Sequence, residues 1–325
     1  MLKLGDITLD VPFYQAPLSG YSDYAMRRLA MDFGAPLTFA GVMLAKSAAN
    51  PRVLRKQMFR PQPDEHPIGA QILGREPAVM VKAAKDLVEV GYDLIDLNYA
   101  CPAPKVLRRG RGGALLKDPQ TAIEVFQRVR EAIDRPVIIK LRIGYGNGEQ
   151  SRDRFWQIAS RCAAEGADAL VIHGRTVLER YRGQADWTLL TQLKREYPNT
   201  TIIASGDVFD AQTALERMRQ TGIDGLLIAR GAIGNPWIFR DLRAVFEGKP
   251  CPPGPDLGEQ KQTILKHFEM ISQIYEQGKA VRYFRKFMAN YCRLHPDRKN
   301  ALLDVLAAKK EDQFFAVIDQ WYPAE

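Results

Sequence analysis

Cysteine is scarce in this chain: four in 325 residues, at positions 101, 162, 251 and 292. Spacing that wide builds neither a disulfide framework nor a metal cluster, and a reducing, cytoplasmic setting is the expectation. No apolar run approaches the roughly 20 residues that a membrane span needs. The N-terminal stretch MLKLGDITLDVPF lacks the apolar core of an export signal. Zinc-finger, helicase and RNA-recognition-motif signatures are missing, as is a Gly-rich dinucleotide-binding unit. What a core requires is present. Hydrophobic residues make up 46% of the chain, with 14 Phe, 12 Tyr and 4 Trp, which excludes a disordered polymer. The balance of 46 Lys+Arg against 38 Asp+Glu, a net charge of +8, points toward a polyanionic partner if the positive charge is gathered in one place.

Short apolar runs alternate with helical patterns up to about residue 245. The strand candidates are Phe13–Ala16, Leu37–Val42, Ile68–Ile72, Leu94–Leu97, Val137–Leu141, Ala169–Ile172, Thr201–Ala204 and Gly225–Ile228. They are mostly apolar throughout, as parallel strands buried on both faces are. Helical stretches separate them. The clearest runs from Asp118 to about Asp134, with Asp118 as N-cap, Pro119 at the first helical position and Ala122, Phe126, Val129 and Ile133 on one stripe. Eight strand–helix units of this size predict an α/β fold, a closed (β/α)8 TIM barrel; an open doubly wound sheet is the alternative. After residue 246 the segment EGKPCPPGPDLGE carries four prolines and three glycines, a composition that resists helix. The predicted organisation is therefore a barrel over 1–245, a linker over 246–258 and a small all-α unit over 259–325. In that unit Ile264, Phe268, Ile271 and Tyr275 recur at helical spacing.

Barrel chemistry sits at the C-terminal ends of strands and in the loops that follow. Cys101 ends the fourth strand in such a loop and is a candidate nucleophile or general acid, against the alternative of a small buried hydrophobe. Lys140 and Arg142 alternate with Leu141 on the fifth strand and share a face. A lysine in an apolar strand needs a reason: a phosphate, an electron-rich ring, a Schiff base or a salt bridge with a carboxylate such as Asp96. His173 and Arg175 repeat the alternation on the sixth strand. Ser205-Gly206-Asp207 and Arg230-Gly231-Ala232 are small-residue turns after the seventh and eighth, where barrels often bind phosphate. Two loops are purely basic. One holds Lys46, Arg52, Arg55, Lys56 and Arg60, the other Lys105, Arg108, Arg109, Arg111 and Lys117, and neither contains an acid. Arg282, Arg285, Lys286 and Arg293 follow in the helical unit, beside Phe284, Phe287 and Tyr291 as core. Three such runs favour a nucleic acid backbone over a merely solvated face.

In this order and spacing, LNYACP, IIKLRIG, VIHGRT, ASGDV and IARGAIGNPWIF resemble the tRNA-dihydrouridine synthases, flavin enzymes with a (β/α)8 barrel and a C-terminal helical RNA-binding domain. The likeness extends from Ala16-Pro17-Leu18 into the helical tail. It implies FMN across the barrel mouth, lined by Ala16, Pro17 and Leu18, held by Gln71 and Lys140 with His173 close by, and by Ser205, Gly206, Asp207, Ala229 and Arg230 along the ribityl phosphate. It implies NADPH (or NADH) as electron donor and tRNA as partner; a monomer is the default expectation, and cysteine spacing and the lack of long apolar runs argue for neither metal nor membrane. Hydride from flavin N5 would reach uracil C6 while Cys101 protonates C5. The resemblance assigns RNA contact to Asn98, Lys105, Arg108, Arg109, Arg111, Arg142, Arg175, Arg282, Arg285 and Lys286. An FMN barrel oxidoreductase acting on a small pyrimidine or enone, or on another RNA, is the nearest alternative. The chain departs from the family pattern at Tyr99-Ala100, where Gly commonly precedes the cysteine, and at Ser205, where Asn is common. It also departs at Ala40-Gly41-Val42, where the family often has a glutamate.

Overall fold

The computed structural model describes residues 1–55, 59–276 and 278–323; Lys56 of the first basic loop lies outside the described residues. The chain opens with an antiparallel hairpin, β1 (Leu2–Leu4) and β2 (Ile7–Leu9), turned at Gly5 with φ +63°. Nine further strands form one parallel sheet: β3 (Phe13–Gln15), β4 (Thr38–Phe39), β5 (Met43–Leu44), β6 (Ile68–Leu73), β7 (Leu94–Asn98), β8 (Val137–Arg142), β9 (Ala169–His173), β10 (Ile202–Ser205) and β11 (Gly225–Ile228). Their order is β3-β11-β10-β9-β8-β7-β6-β4, with β5 also on β6. The Gln15 N–H donates to Leu37 O over 3.1 Å and brings β3 back beside β4, so the sheet curls into the eight-position barrel expected.

The second position differs from the single strand expected over Leu37–Val42. Ala40 N–H still bonds Gly69 O on β6, but Gly41 N–H turns away to Ser22 O. The ladder breaks there and resumes at β5, where Met43 pairs with Ile72.

Strict alternation sorts the side chains. Ile139, Leu141, Leu170, Ile172 and Ala204 face outward into the layer shared with the helices. Tyr14, Phe39, Leu94, Ile138, Val171, Ile203 and Leu227 fill the interior. Leu2, Leu4 and Leu9 of the hairpin belong to that interior cluster and close the barrel's N-terminal end. Burial of this kind is worth about 25 cal/mol per Å² of apolar area. Further along each strand the interior turns polar, at Gln71, Asp96, Asn98, Lys140 and His173. Among the described residues aspartates start five helices by accepting the N–H three residues on: Asp23 from Met26, Asp118 from Thr121, Asp210 from Thr213, Asp256 from Glu259 and Asp297 from Asn300. The helix after Asp118 ends at Ala132, because Ile133 adopts extended backbone.

Helices Leu257–Ile274, Lys279–Tyr291, Arg298–Ala307 and Glu311–Trp321 follow the Pro-rich segment. Phe268, Phe284, Phe287, Tyr291 and Phe314 form their core, with Phe268 stacked on Phe314 at 4.4 Å. Trp237 packs edge-on against Tyr291, and Lys266 pairs with Asp32 at 2.8 Å, so this unit sits on the barrel's flank. Tyr275 lies one residue past the first helix and stacks on Tyr283 at 4.0 Å.

His267 is enclosed by Phe284, Phe287 and Tyr291, with its Nδ1 2.9 Å from the Tyr291 hydroxyl. Burial, and then the nearby Lys286 charge, push its pKa down to about 3. The unfolded chain takes up that proton near pH 6.5, so protonation favours the unfolded state and stability falls as pH drops below 6.5. At one pH unit below 6.5 this amounts to about 1.4 kcal/mol. His267→Phe is expected to lose less stability than wild type between pH 7.5 and 5.5, compared by urea unfolding; parallel pH profiles would contradict this.

Candidate functional site

The polar ends of the strands open into a cavity of about 180 Å³ at the C-terminal mouth of the barrel. Ala16, Pro17 and Leu18 after β3, Gln71 on β6, Asn98 on β7, and Lys140 and Arg142 on β8 line it. So do His173 on β9, Ser205, Gly206 and Asp207 at the end of β10, and Ala229 and Arg230 after β11. Cys101 is on the same wall as Ala100 and Pro102.

Local bonding explains why Cys101 stands where it does. Asn98 Oδ1 accepts from the N–H groups of Ala100 (3.1 Å) and Cys101 (2.9 Å), so the chain folds over the end of β7. Arg142 Nε donates to Ala100 O over 2.8 Å. Behind the loop, Gly113 N–H donates to Cys101 O, and Gly112 takes φ +57° with room for no side chain: a Cβ there would lie 2.9 Å from the Cys101 Cβ. Gly112→Ala is therefore expected to cost about 1 kcal/mol or more in stability and to displace the thiol; an unchanged melting temperature would contradict the packing.

The charges are arranged for an anion. Lys140 Nζ is buried and makes no hydrogen bond among the described residues. A salt bridge with Asp96 thus does not account for this lysine; the pair interacts only through the low-dielectric interior. Burial lowers the Lys140 pKa against the pull of Asp96, and burial raises that of Asp96 against the pull of Lys140. Burial, helped by Arg142, Lys140, Arg175 and Arg230, pushes His173 down to about 2, so its ring is neutral, and its Nδ1 is buried without a partner. Asp207 has φ +53°. Its carboxylate accepts from Arg175 Nη2 (2.6 Å), Ala185 N–H (2.8 Å) and Arg230 Nη2 (3.2 Å). Burial alone would raise its pKa; these bonds overcome it and leave the carboxyl below its usual range. Gly206 has φ +125°, and a Cβ there would meet Ala185 and His173. At Gly231 a Cβ would lie 2.4 Å from Val208 O. Both turns are thus packed too tightly against the surrounding protein to take a side chain.

Within the matching span, residues 14–320 fit the family description "Dihydrouridine synthase (Dus)". The chain belongs to the dihydrouridine synthase family. Among curated relatives of the family it is 34% identical over 302 residues to tRNA-dihydrouridine synthase B of Proteus vulgaris, covering 91% of each chain. It is 33% identical to the protein of that name from Pasteurella multocida, covering 89% of this chain and 86% of the relative. Among solved structures, histamine dehydrogenase from Rhizobium superposes with a TM-score of 0.58 at 16% identity. That likeness covers 83% of this chain and 50% of that one, and is one of fold alone.

Some of the basic residues in this family member are turned inward. Arg142 Nη1 donates to the carbonyls of Thr176 and Arg180, and Arg175 to those of Arg182 and Gly183, so both tie down the loop after β9. The predicted basic face of the helical unit is divided. Arg282 is exposed, but Arg285 donates to Ala308 O, and Lys286 lies over the Tyr283 ring at 3.1 Å and reaches Gly20 O. Lys105, Arg108 and Arg109 are exposed on the loop that carries Cys101, and Arg111 is half-buried there. Two aromatic residues escaped the sequence reading. Tyr181 and Phe209 are exposed at the rim and flank the Arg230 guanidinium at 4.8 and 5.4 Å. Their place in loops after β9 and β10 is the signal that would have found them. Among the described residues no cluster of three His, Cys, Asp or Glu side chains forms a metal site, and no helix is long and apolar enough to cross a membrane.

Proposed function

We propose that the protein reduces uridines in tRNA to 5,6-dihydrouridine, using FMN in the barrel mouth and NADPH or NADH as electron donor. One observation carries this reading: Cys101 shares a single cavity with a buried Lys140 ammonium that has no hydrogen-bond partner among the described residues, and with the turns at Gly206 and Gly231. The residues present fit FMN. Ala16, Pro17 and Leu18 give one apolar wall for a ring. Gln71 and Lys140 offer polar groups to its edge, with neutral His173 beside them. Ser205, Gly206, Asp207, Ala229 and Arg230 border the place for the ribityl phosphate. FMN, when bound, supplies the hydride that uracil accepts at C6.

The chain's own residues do the rest. Cys101 donates a proton to C5 and is reprotonated from solvent, which completes addition of H⁻ and H⁺ across the C5–C6 double bond. Lys140 places positive charge where the bound ring gathers negative charge. Arg142 keeps the Cys101 loop and the loop after β9 in register. A uracil must leave its stack to enter the cavity, at a cost of a few kcal/mol. We assign that work to exposed Lys105, Arg108 and Arg109, with Arg111 and Asn98 nearer the cavity, and to Arg282 and its neighbours in the unit beyond residue 258, gripping phosphates. The freshly purified protein is expected to be yellow and to release FMN on denaturation; a colourless protein that takes up no added FMN would overturn the cofactor assignment.

A further inference from the structure

Asp96 is the middle inward-facing residue of β7, fully buried and one step below Asn98. Its Oδ2 accepts a hydrogen bond of 2.7 Å from Gln71 Nε2. A carboxylate can only accept, so this bond decides which way the Gln71 amide points. Gln71 Oε1 is left facing Asn98, whose Nδ2 donates to it over 2.7 Å. The Asn98 amide is oriented in turn, and its Oδ1 holds the N–H groups of Ala100 and Cys101. Reversing either amide would set donor against donor at a later link.

We propose that Asp96 is a positioning residue for the Cys101 step: its carboxylate directs the Gln71 and Asn98 amides and so seats the loop that carries the thiol. The catalytic half of this inference rests on Cys101 as proton donor; the seating half does not. Asp96 also faces Lys140 electrostatically, and Tyr14, whose hydroxyl is buried without a partner, feels its charge. Two near-isosteric substitutions separate these roles. Asp96→Asn loses the charge but keeps an oxygen that accepts from Gln71. Asp96→Leu loses both. Any effect carried by charge through Lys140 is equal in the two variants; an effect carried by the amide relay is confined to leucine.

The first readout is the rate at which iodoacetamide alkylates Cys101 in flavin-free protein, followed on its peptide, with exposed Cys251 as internal control. The second is uridine reduction by holoprotein whose flavin has been reduced with dithionite. Asp96→Asn is expected to stay close to wild type in both. In Asp96→Leu, Cys101 is expected to alkylate about tenfold faster and uridine reduction to fall by about 10²-fold, the scale of a misplaced catalytic group. Equal behaviour of the two variants, whether both impaired or both wild-type-like, overturns the proposal. If Cys101→Ala reduces uridine as wild type does, the proton-donor reading falls, and alkylation still decides the seating. Should the leucine variant not fold, Asp96→Ala replaces it.

Discussion

Cys101→Ala should lower dihydrouridine formation by about 10²–10⁴-fold, the contribution of a positioned general acid, while flavin content and tRNA affinity stay as in wild type. The split follows from where each function is built. The loop's position depends on Asn98 and Arg142 acting on backbone atoms of residues 100 and 101, and alanine retains those atoms. In the proposed arrangement flavin contacts would come mainly from the other strands, and RNA phosphate contacts from exposed cations along the rim. A loss in kcat at unchanged affinity marks an interaction made only in the transition state. Turnover near wild type would remove Cys101 from the chemistry.

Lys140→Leu should move function and stability in opposite directions. In flavin-free protein the Nζ is buried with no hydrogen-bond partner among the described residues, and an ammonium in that state costs about several kcal/mol of desolvation. Leucine removes the cost, and Asp96, already raised by burial, can take a proton once the opposing charge is gone. The flavin-free variant is therefore expected to melt at a higher temperature than wild type. With flavin the charge becomes useful. A unit charge at contact distance from developing negative charge is worth about 4 kcal/mol at an effective dielectric of about 20. Reduction of the bound cofactor should fall by about 10²-fold or more, followed by stopped-flow absorbance. A variant less stable than wild type, with normal reduction, would show that Lys140 is structural.

The barrel was legible because period-two alternation and strand count are local properties. Lys140 and Arg142 could be placed on one face from their spacing alone, and the structure puts both on the cavity. The split of the second strand was not legible, because it depends on Gly41 N–H finding Ser22 O in the loop after the neighbouring β3. The opening hairpin was missed although Leu2, Leu4, Ile7 and Leu9 alternate around Gly5-Asp6; two three-residue strands are shorter than the pattern sought. Charge runs were the least reliable guide. Sequence shows that Arg285 and Lys286 are basic, but not that one caps Ala308 O and the other lies over Tyr283. Arg142 and Arg175 likewise spend their donors on loop carbonyls. A long cationic side chain chooses its partner in three dimensions, and composition does not record the choice.

The cavity is proposed to transfer hydrogen to a uracil in tRNA with Cys101 as acid. The most direct test is to incubate the FMN-loaded protein with NADPH and tRNA transcribed without modifications, then digest the RNA and weigh its nucleosides. A uridine heavier by the mass of one hydrogen molecule is expected, formed by wild type and nearly absent with Cys101→Ala. Full flavin loading and prompt oxidation of NADPH with no dihydrouridine in any tRNA would contradict it.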